Sequence, residues 1–290
     1  MIPVFYRPEQ SCASNESFSP SAGKPRQVVA DWQGKSDIAP YIQIESFDPL
    51  TPDDIKLAHD RAYVDAVLAC RKENGFGNKS AEVAASLLYT TGSLFAAAKR
   101  ALTSKIAVSP TSGFHHANHS FGGGFCTFNG LVITALKLKK LRLVKAVLIL
   151  DFDGHYGDGT DSCIKAAGAQ KWLFNVTRSK HYDDARSCLR MTRPARLYEY
   201  VVNDMKVRPD LVLYQAGADL WQGDPLGAGL LSREQMRERD AGIFSAAHKN
   251  GVPIVMNLAG GYAKDVNGTI APVLKLHRQT VEEAIKLFAA

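Results

Sequence analysis

The chain of 290 residues lacks any apolar run near the roughly 20 residues that a membrane-crossing helix needs, which excludes a helical membrane protein. It also lacks a CxxC pair. Its five cysteines, Cys12, Cys70, Cys126, Cys163 and Cys188, are scattered and odd in number, so neither a disulfide framework nor a zinc finger is indicated, and reduced thiols are expected. The N-terminal residues show none of the basic, apolar and small-residue regions of a signal peptide, from which a cytoplasmic location is expected. Repeats, low-complexity tracts and linker-like stretches are missing too, so one domain over 1–290 is expected. There is no concentrated basic patch. The formal charge is +6, yet the densest cluster, LKLKKLRLVK at 136–145, alternates Leu with Lys as a solvated helix end does, and nucleic-acid binding is not expected. Nothing in the sequence specifies an oligomeric state.

What is present is organised around AVLILDFDGHYGDGT at 146–160. Five apolar residues, Ala146 to Leu150, read as a buried parallel strand, and the chain then turns abruptly polar with Asp151, Asp153, His155 and Asp158. Asp153 and His155 are two apart, a spacing that lets both side chains leave one face and reach one ion. Gly154, Gly157 and Gly159 are expected to supply backbone conformations that other residues resist.

Strand candidates are Ile2 to Tyr6, Lys105 to Ser109, Ala146 to Leu150, Trp172 to Val176, Leu211 to Gln215 and Pro253 to Leu258, and a further apolar segment, Tyr41 to Ile44, lies in the irregular first fifty residues. Helix candidates start at Thr51, with apolar spacing continuing to Leu68, and at Ser80; others lie near 130–140, 195–205 and 232–249, and a last one runs from about Ile270. The Ser-rich segment from Ser11 to Arg26 reads as a loop. Alternation of strands and helices implies an α/β fold, a single open, mostly parallel sheet with helices on both faces.

Polar residues follow the strands. His115 and His116 come after the strand ending at Ser109, Asp219 after that ending at Gln215, and Tyr262 after that ending at Leu258. Four loops are thus expected to deliver reactive groups to the carboxyl edge of one sheet, where open α/β sheets bind ligands. Asp153, His155 and Asp219 form a mixed oxygen and nitrogen set suited to one divalent transition metal, with a position left for water or substrate. His115 and His116 are candidate proton carriers, Asp151 and Asp158 carboxylates that can hold their second nitrogens, and Tyr262 a hydroxyl for a developing oxyanion. These groups suit metal-assisted hydrolysis of a carbonyl bond.

The motifs GFHHA at 113–117, GGGFCTFNG at 122–130, DFDGHYGDGT at 151–160, AGADLWQGDPLG at 216–227 and AGGY at 259–262 resemble the zinc-dependent histone deacetylase superfamily, its bacterial amidohydrolases in particular. NGFGN at 74–78 and HDRAYVDAV at 59–67 extend the likeness toward the N-terminus. The resemblance implies an arginase/deacetylase-like fold and one zinc held by Asp153, His155 and Asp219. It further implies His116 as general base and acid with His115 beside it, Asp151 and Asp158 behind them, and Tyr262 on the acyl carbonyl. Gly124, Phe125 and Leu226 match an acyl-lysine tunnel, and a structural potassium is implied near Asp151 and Asp153. His59 and Asp60 are drawn toward the site by the same likeness.

Three positions depart from the pattern. Tyr156 replaces a frequent second histidine, Asn129-Gly130 replaces Asn-Asn or Asn-Asp, and TRSKHYDDARS at 177–187 does not reproduce the family's phenylalanine-bearing loop. The reading that follows is hydrolysis of an N-acyl amide, with acylated lysine in a peptide or protein as substrate. A small acylated amine such as an acetylpolyamine is the alternative; Glu9 and Glu16 offer no decisive acidic motif for it. A two-manganese ureohydrolase would need further bridging carboxylates where Leu220 and Trp221 follow Asp219, and a non-catalytic acyl-lysine binding module would have lost a ligand, the base or the tyrosine.

Overall fold

Each of the seven apolar runs becomes a strand: β1 (Ile2–Phe5), β2 (Ile42–Glu45), β3 (Ile106–Ser109), β4 (Val147–Asp151), β5 (Leu173–Val176), β6 (Leu211–Gly217) and β7 (Ile254–Ala259). The computed structural model describes residues 1–14 and 17–289, and Glu16 lies outside them. It joins the strands in one sheet of order β2-β1-β3-β7-β6-β4-β5, with every pairing parallel. Parallel neighbours need crossovers, and helices supply most of them. These are α1 (Lys24–Gln33), α2 (Pro52–Ile55), α3 (Arg61–Leu68), α4 (Ala81–Ser104), α5 (Gly130–Lys140), α6 (Asp158–Ala166), α7 (Ala185–Thr192), α8 (Pro194–Tyr200), α9 (Arg233–Lys249) and α10 (Ala271–Phe288). No helix among the described residues is long and apolar enough to cross a membrane.

The period of two in each strand splits the core into two layers. Leu148, Leu150, Val212, Tyr214, Ile254 and Met256 face one layer, beneath α1, α7, α9 and α10. Val147, Ile149, Leu211, Leu213 and Val255 face the other, beneath α3, α4, α5 and α6. Both faces of β4, β6 and β7 are buried, which is why these strands read as continuous apolar runs rather than alternating ones. Each large aliphatic side chain so buried contributes about 1.5–3 kcal/mol of transfer free energy.

The expected sheet with helices on both faces is therefore the observed one, while several helices differ in detail. The helix expected to run from Thr51 through Leu68 is broken after Ile55, because the Asp60 carboxylate accepts from the Tyr63 amide at 2.9 Å and starts α3 afresh. Near 195–205, Pro194 opens α8 and separates it from α7. Within the stretch expected to be a loop up to Arg26, α1 already begins at Lys24 with Pro25 in its first turn, a start hidden by the surrounding Ser, Gly and Pro. Helix α6 was hidden likewise, by the glycines of the metal-type stretch. The starts at Ser80 and Ser232 are capped as their sequence implies.

Buried charge ties α9 and α10 to the strand layer. Arg239, 1% exposed, pairs with Asp240 at 2.8 Å, and Asp240 also accepts from the hydroxyls of Tyr214 on β6 and Thr280 on α10. Removing Asp240 leaves the buried Arg239 guanidinium with carbonyl acceptors but no counter-charge. Asp240→Ala is expected to cost about 3–5 kcal/mol in urea unfolding; a loss below about 1 kcal/mol would show that the arginine finds another counter-charge.

Candidate active site

Strands β3, β7, β6 and β4 are consecutive neighbours and parallel, so the loops leaving their carboxyl ends open on the same edge. The structure brings the expected residues together there. From the loop after β4 come Asp153 and His155, and from the loop after β6 comes Asp219; one ligand-type atom of each lies within 4.8 Å of the other two. The His155 Nδ1 is 3.1 Å from Asp153 Oδ1 and 3.0 Å from Asp219 Oδ2. Its Nε2 is 3.0 Å from the Leu226 carbonyl, which fixes the ring and leaves Nδ1 as the inward atom.

The donor chemistry fits one divalent transition metal. Asp219 Oδ1 accepts from the Gly154 amide at 2.9 Å, whereas the buried Oδ2 takes no aligned hydrogen bond and lies 3.0 Å from His155 Nδ1. Burial and the neighbouring Asp153 together push the Asp219 carboxyl upward. The carboxylate pair in turn attracts positive charge: hydrogen bonding to Asp153 and then Asp219 raises His155 to about 11. A dication satisfies the same demand. Among the described residues no second cluster of this kind occurs, so a two-metal site has no further ligands here.

The two histidines stand side by side with ring centroids 4.0 Å apart. His115 Nδ1 meets Asp151 Oδ2 at 2.9 Å and His116 Nδ1 meets Asp158 Oδ1 at 2.7 Å, the pairing expected from the sequence. Their environments push them apart. Burial opposes charge on His115, but Asp151 and Asp153 outweigh it and raise the ring to about 9. Burial and then the charge of His115 lower His116. Asn118 holds the other Asp158 oxygen at 3.1 Å, so the carboxylate behind His116 is itself oriented.

Tyr262 follows β7 through Gly260 and Gly261, both at positive φ, +43° and +87°. Gly260 lies so close to Asp219 that a Cβ would fall 2.2 Å from its Cγ, so the turn needs a bare backbone for space as well as for conformation. Burial raises the Tyr262 phenol well above its ordinary value, which keeps it a neutral donor. Phe125 packs near it at 5.6 Å between centroids, with Gly124 exposed beside it; the Leu226 side chain is 42% exposed. The glycines of the β4 loop are a correction: Gly154, Gly157 and Gly159 do not adopt positive φ. Crowding is what requires all three, since a Cβ would lie 2.9 Å from the Ala228 amide nitrogen at Gly154, 2.5 Å from Asp151 Oδ2 at Gly157 and 2.5 Å from His116 and Ala117 backbone at Gly159.

Several supporting residues escaped the sequence reading. Asp224 accepts the Leu226 and Gly227 amides with one oxygen, at 3.1 and 3.0 Å, and the Tyr262 and Ala263 amides with the other, at 2.6 and 3.2 Å. It thereby locks the β6 and β7 loops together; its place in GDPLG was the available signal. Lys24 is fully buried, donates to the Gly260 carbonyl, and is lowered to about 8 by burial against the pull of Asp219 and Asp153. Phe18 stacks edge-on against Phe125 at 5.2 Å and is 61% exposed at the mouth, a wall that the Ser-rich stretch concealed. His59 supports the histidine loop from behind: its Nε2 accepts the Asn129 amide at 2.8 Å and its Nδ1 donates to His119 O at 3.2 Å. Asp60 caps α3 and stays out of the reacting cluster. The Tyr156 hydroxyl donates to Asp161 at 2.5 Å, away from the metal ligands. Cys126 is buried, and burial raises its thiol, as suits a packing residue.

The family model described as the histone deacetylase domain matches residues 21–181 and 174–275. The chain belongs to this histone deacetylase family. An uncharacterized protein of Picosynechococcus sp. is 29% identical over 251 residues, 80% of this chain and 83% of that one. Histone deacetylase 2 of Arabidopsis thaliana is 29% identical over 204 residues, and the match spans 65% of this chain but only 52% of the plant protein. In fold, the crystal structure of an acetylpolyamine aminohydrolase from Burkholderia pseudomallei superposes with a TM-score of 0.73 at 16% identity, covering 99% of each chain. The deacetylase-family architecture read from the sequence is thus the one present.

Gly260→Ala is expected to displace Asp219 and to abolish stable metal uptake while most of the fold survives, because two remaining ligands hold a divalent ion poorly. Metal content after equilibration with zinc, read beside circular dichroism, checks this. Stoichiometric zinc in the folded variant would mean that the β7 turn can move away.

Proposed function

We propose that the protein is a zinc-dependent amidohydrolase, with one zinc per chain, that removes an acyl group from the amine of an acylated lysine. In this reading residues 1–290 act as one catalytic domain, in the cytoplasm. The observation that carries it is the three-ligand cluster of Asp153, His155 and Asp219 beside two carboxylate-backed histidines. Zinc held there would supply Lewis-acid polarisation of the acyl carbonyl and lower the pKa of a water.

The chain's own groups then divide the proton work. His116, kept neutral by burial and by cationic His115, takes a proton from the attacking water at Nε2 while Asp158 holds its Nδ1. The same nitrogen returns the proton to the departing amine. His115, held by Asp151, contributes positive charge beside the reacting carbonyl. Tyr262 donates its hydroxyl to the carbonyl oxygen as negative charge develops. Gly124, Phe125 and Leu226, with Phe18, border the acyl-lysine channel, and the exposed apolar side chains of Phe18 and Leu226 suit an aliphatic stem.

The deciding assay presents zinc-loaded protein with acyl-lysine peptides and acylated polyamines. Preference for the peptides is expected; turnover of polyamines alone would move the assignment to the second substrate class. Tyr262→Phe is expected to lower kcat by about a hundredfold with a smaller effect on KM. His116→Ala is expected to be the weaker of the two histidine variants, nearly inactive with zinc still bound, and His115→Ala to retain measurable activity. If His116→Ala proves the more active at full zinc occupancy, the two roles are reversed.

A further inference from the structure

The first part of the loop that carries Asp153 and His155, from Asp151 to Gly154, is buried, so each of its carbonyl groups needs a donor or a cation. The carbonyls of Asp151, Phe152, Asp153 and Gly154 all have a side-chain donor. Tyr182 Oη lies 2.9 Å from Asp151 O and 3.2 Å from Asp153 O, bridging the two. Arg239 Nη1 donates to Phe152 O at 3.3 Å, and Arg178 Nη1 to Gly154 O at 2.7 Å. The Asp151 carboxylate is engaged as well. Its Oδ1 accepts from Gln215 at 2.9 Å and the Asp153 amide at 3.4 Å, its Oδ2 from His115 at 2.9 Å and Thr177 at 3.3 Å.

A potassium ion is held by several carbonyl oxygens that together replace its water shell. The four carbonyls from Asp151 to Gly154 offer no such fan of unengaged oxygens: the hydroxyl of Tyr182 already joins two of them, and the guanidinium groups of Arg178 and Arg239 engage the other two. Tyr182 cannot easily swing away. It is 2% exposed, and its ring lies nearly parallel to Phe152, at 8° with centroids 4.9 Å apart. The departure of 177–187 from the family pattern thereby acquires a role, because this stretch contributes Thr177, Arg178 and Tyr182 to the underside of the metal loop.

We infer that Tyr182, Arg178 and Arg239 take the place of the structural potassium implied by the family resemblance, and that the metal loop is assembled without any monovalent cation. Tyr182 and Arg178 are accordingly positioning residues, acting on zinc through the backbone that carries its ligands. The inference rests on Asp153, His155 and Asp219 being the zinc ligands.

The test exchanges the full-length zinc protein into choline chloride and titrates potassium to about 0.15 M at constant ionic strength. Thermal midpoint, zinc affinity and kcat are expected to stay flat, with kcat within about twofold. A saturable rise in midpoint or zinc affinity with potassium, not reproduced by sodium, overturns the inference. Tyr182→Phe deletes one hydroxyl and keeps the ring; it is expected to lose about tenfold in zinc affinity and to regain part of it on adding potassium, because two carbonyls are released. Zinc affinity equal to the wild-type value in this variant also overturns the inference. Should it fail to fold, Arg178→Met serves in its place, with loss of zinc affinity expected and restoration in Arg178→Lys; unchanged affinity in Arg178→Met counts against the inference. The midpoint reports cation binding whether or not the protein turns over, so an inactive protein that still takes up zinc without responding to potassium defeats the proposed function alone.

Discussion

Two carboxylates, Asp153 and Asp219, are buried against each other at the carboxyl edge of neighbouring strands, and much of the site answers that fact. Charges of one sign removed from water repel strongly and demand a counter-charge in fixed position. His155 is drawn between them, and His115 is raised although burial opposes its charge. Fully buried Lys24 approaches from below through Gly260. The backbone adapts to the same demand, since only glycine at 260 allows β7 to pass so near Asp219. In the family's terms this is a metal centre; in physical terms it is a negative well with rigid walls.

Differences between the two histidines follow from the same well. Both are backed by a carboxylate, yet Asp151 is fully buried and His115 also touches Asp153, whereas Asp158 is partly exposed and its histidine lies farther out. Asp151 and Asp153 therefore raise His115 against its burial, while burial and the neighbouring charge of His115 lower His116. Two groups of equal chemistry acquire different proton affinities without any difference in sequence type.

The sheet, its strands and the side chains that gather at its carboxyl edge were legible because each depends on a local pattern: an apolar run, then a polar burst at its carboxyl end. Asp153, His155, Asp219 and Tyr262 stand out in this way. What remained hidden depends on long-range contact. Asp224 matters because four amides from two loops meet on it, and Tyr182 because it reaches two carbonyls about thirty residues earlier in the chain, separations of 31 and 29. Helices α1 and α6 were obscured for another reason, since Ser, Gly and Pro at their starts serve turn formation as readily as capping. The glycines of the β4 loop stand out in the sequence for backbone freedom, when crowding by neighbouring backbone and side-chain atoms is what excludes a Cβ at all three.

The strand order has a consequence in time as well as in space. Strand β7 is the last in the chain, yet it sits between β3 and β6 at the middle of the sheet. While the polypeptide is being synthesised, the two halves of the sheet have no shared neighbour until residues 254–259 have emerged. The ligands on the β4 and β6 loops exist earlier, but the turn that closes over Asp219 does not. Loop closure over such long separations is slow compared with local helix formation. The turn that closes over Asp219 is therefore among the later parts of the candidate centre to take shape, after the two loops it covers.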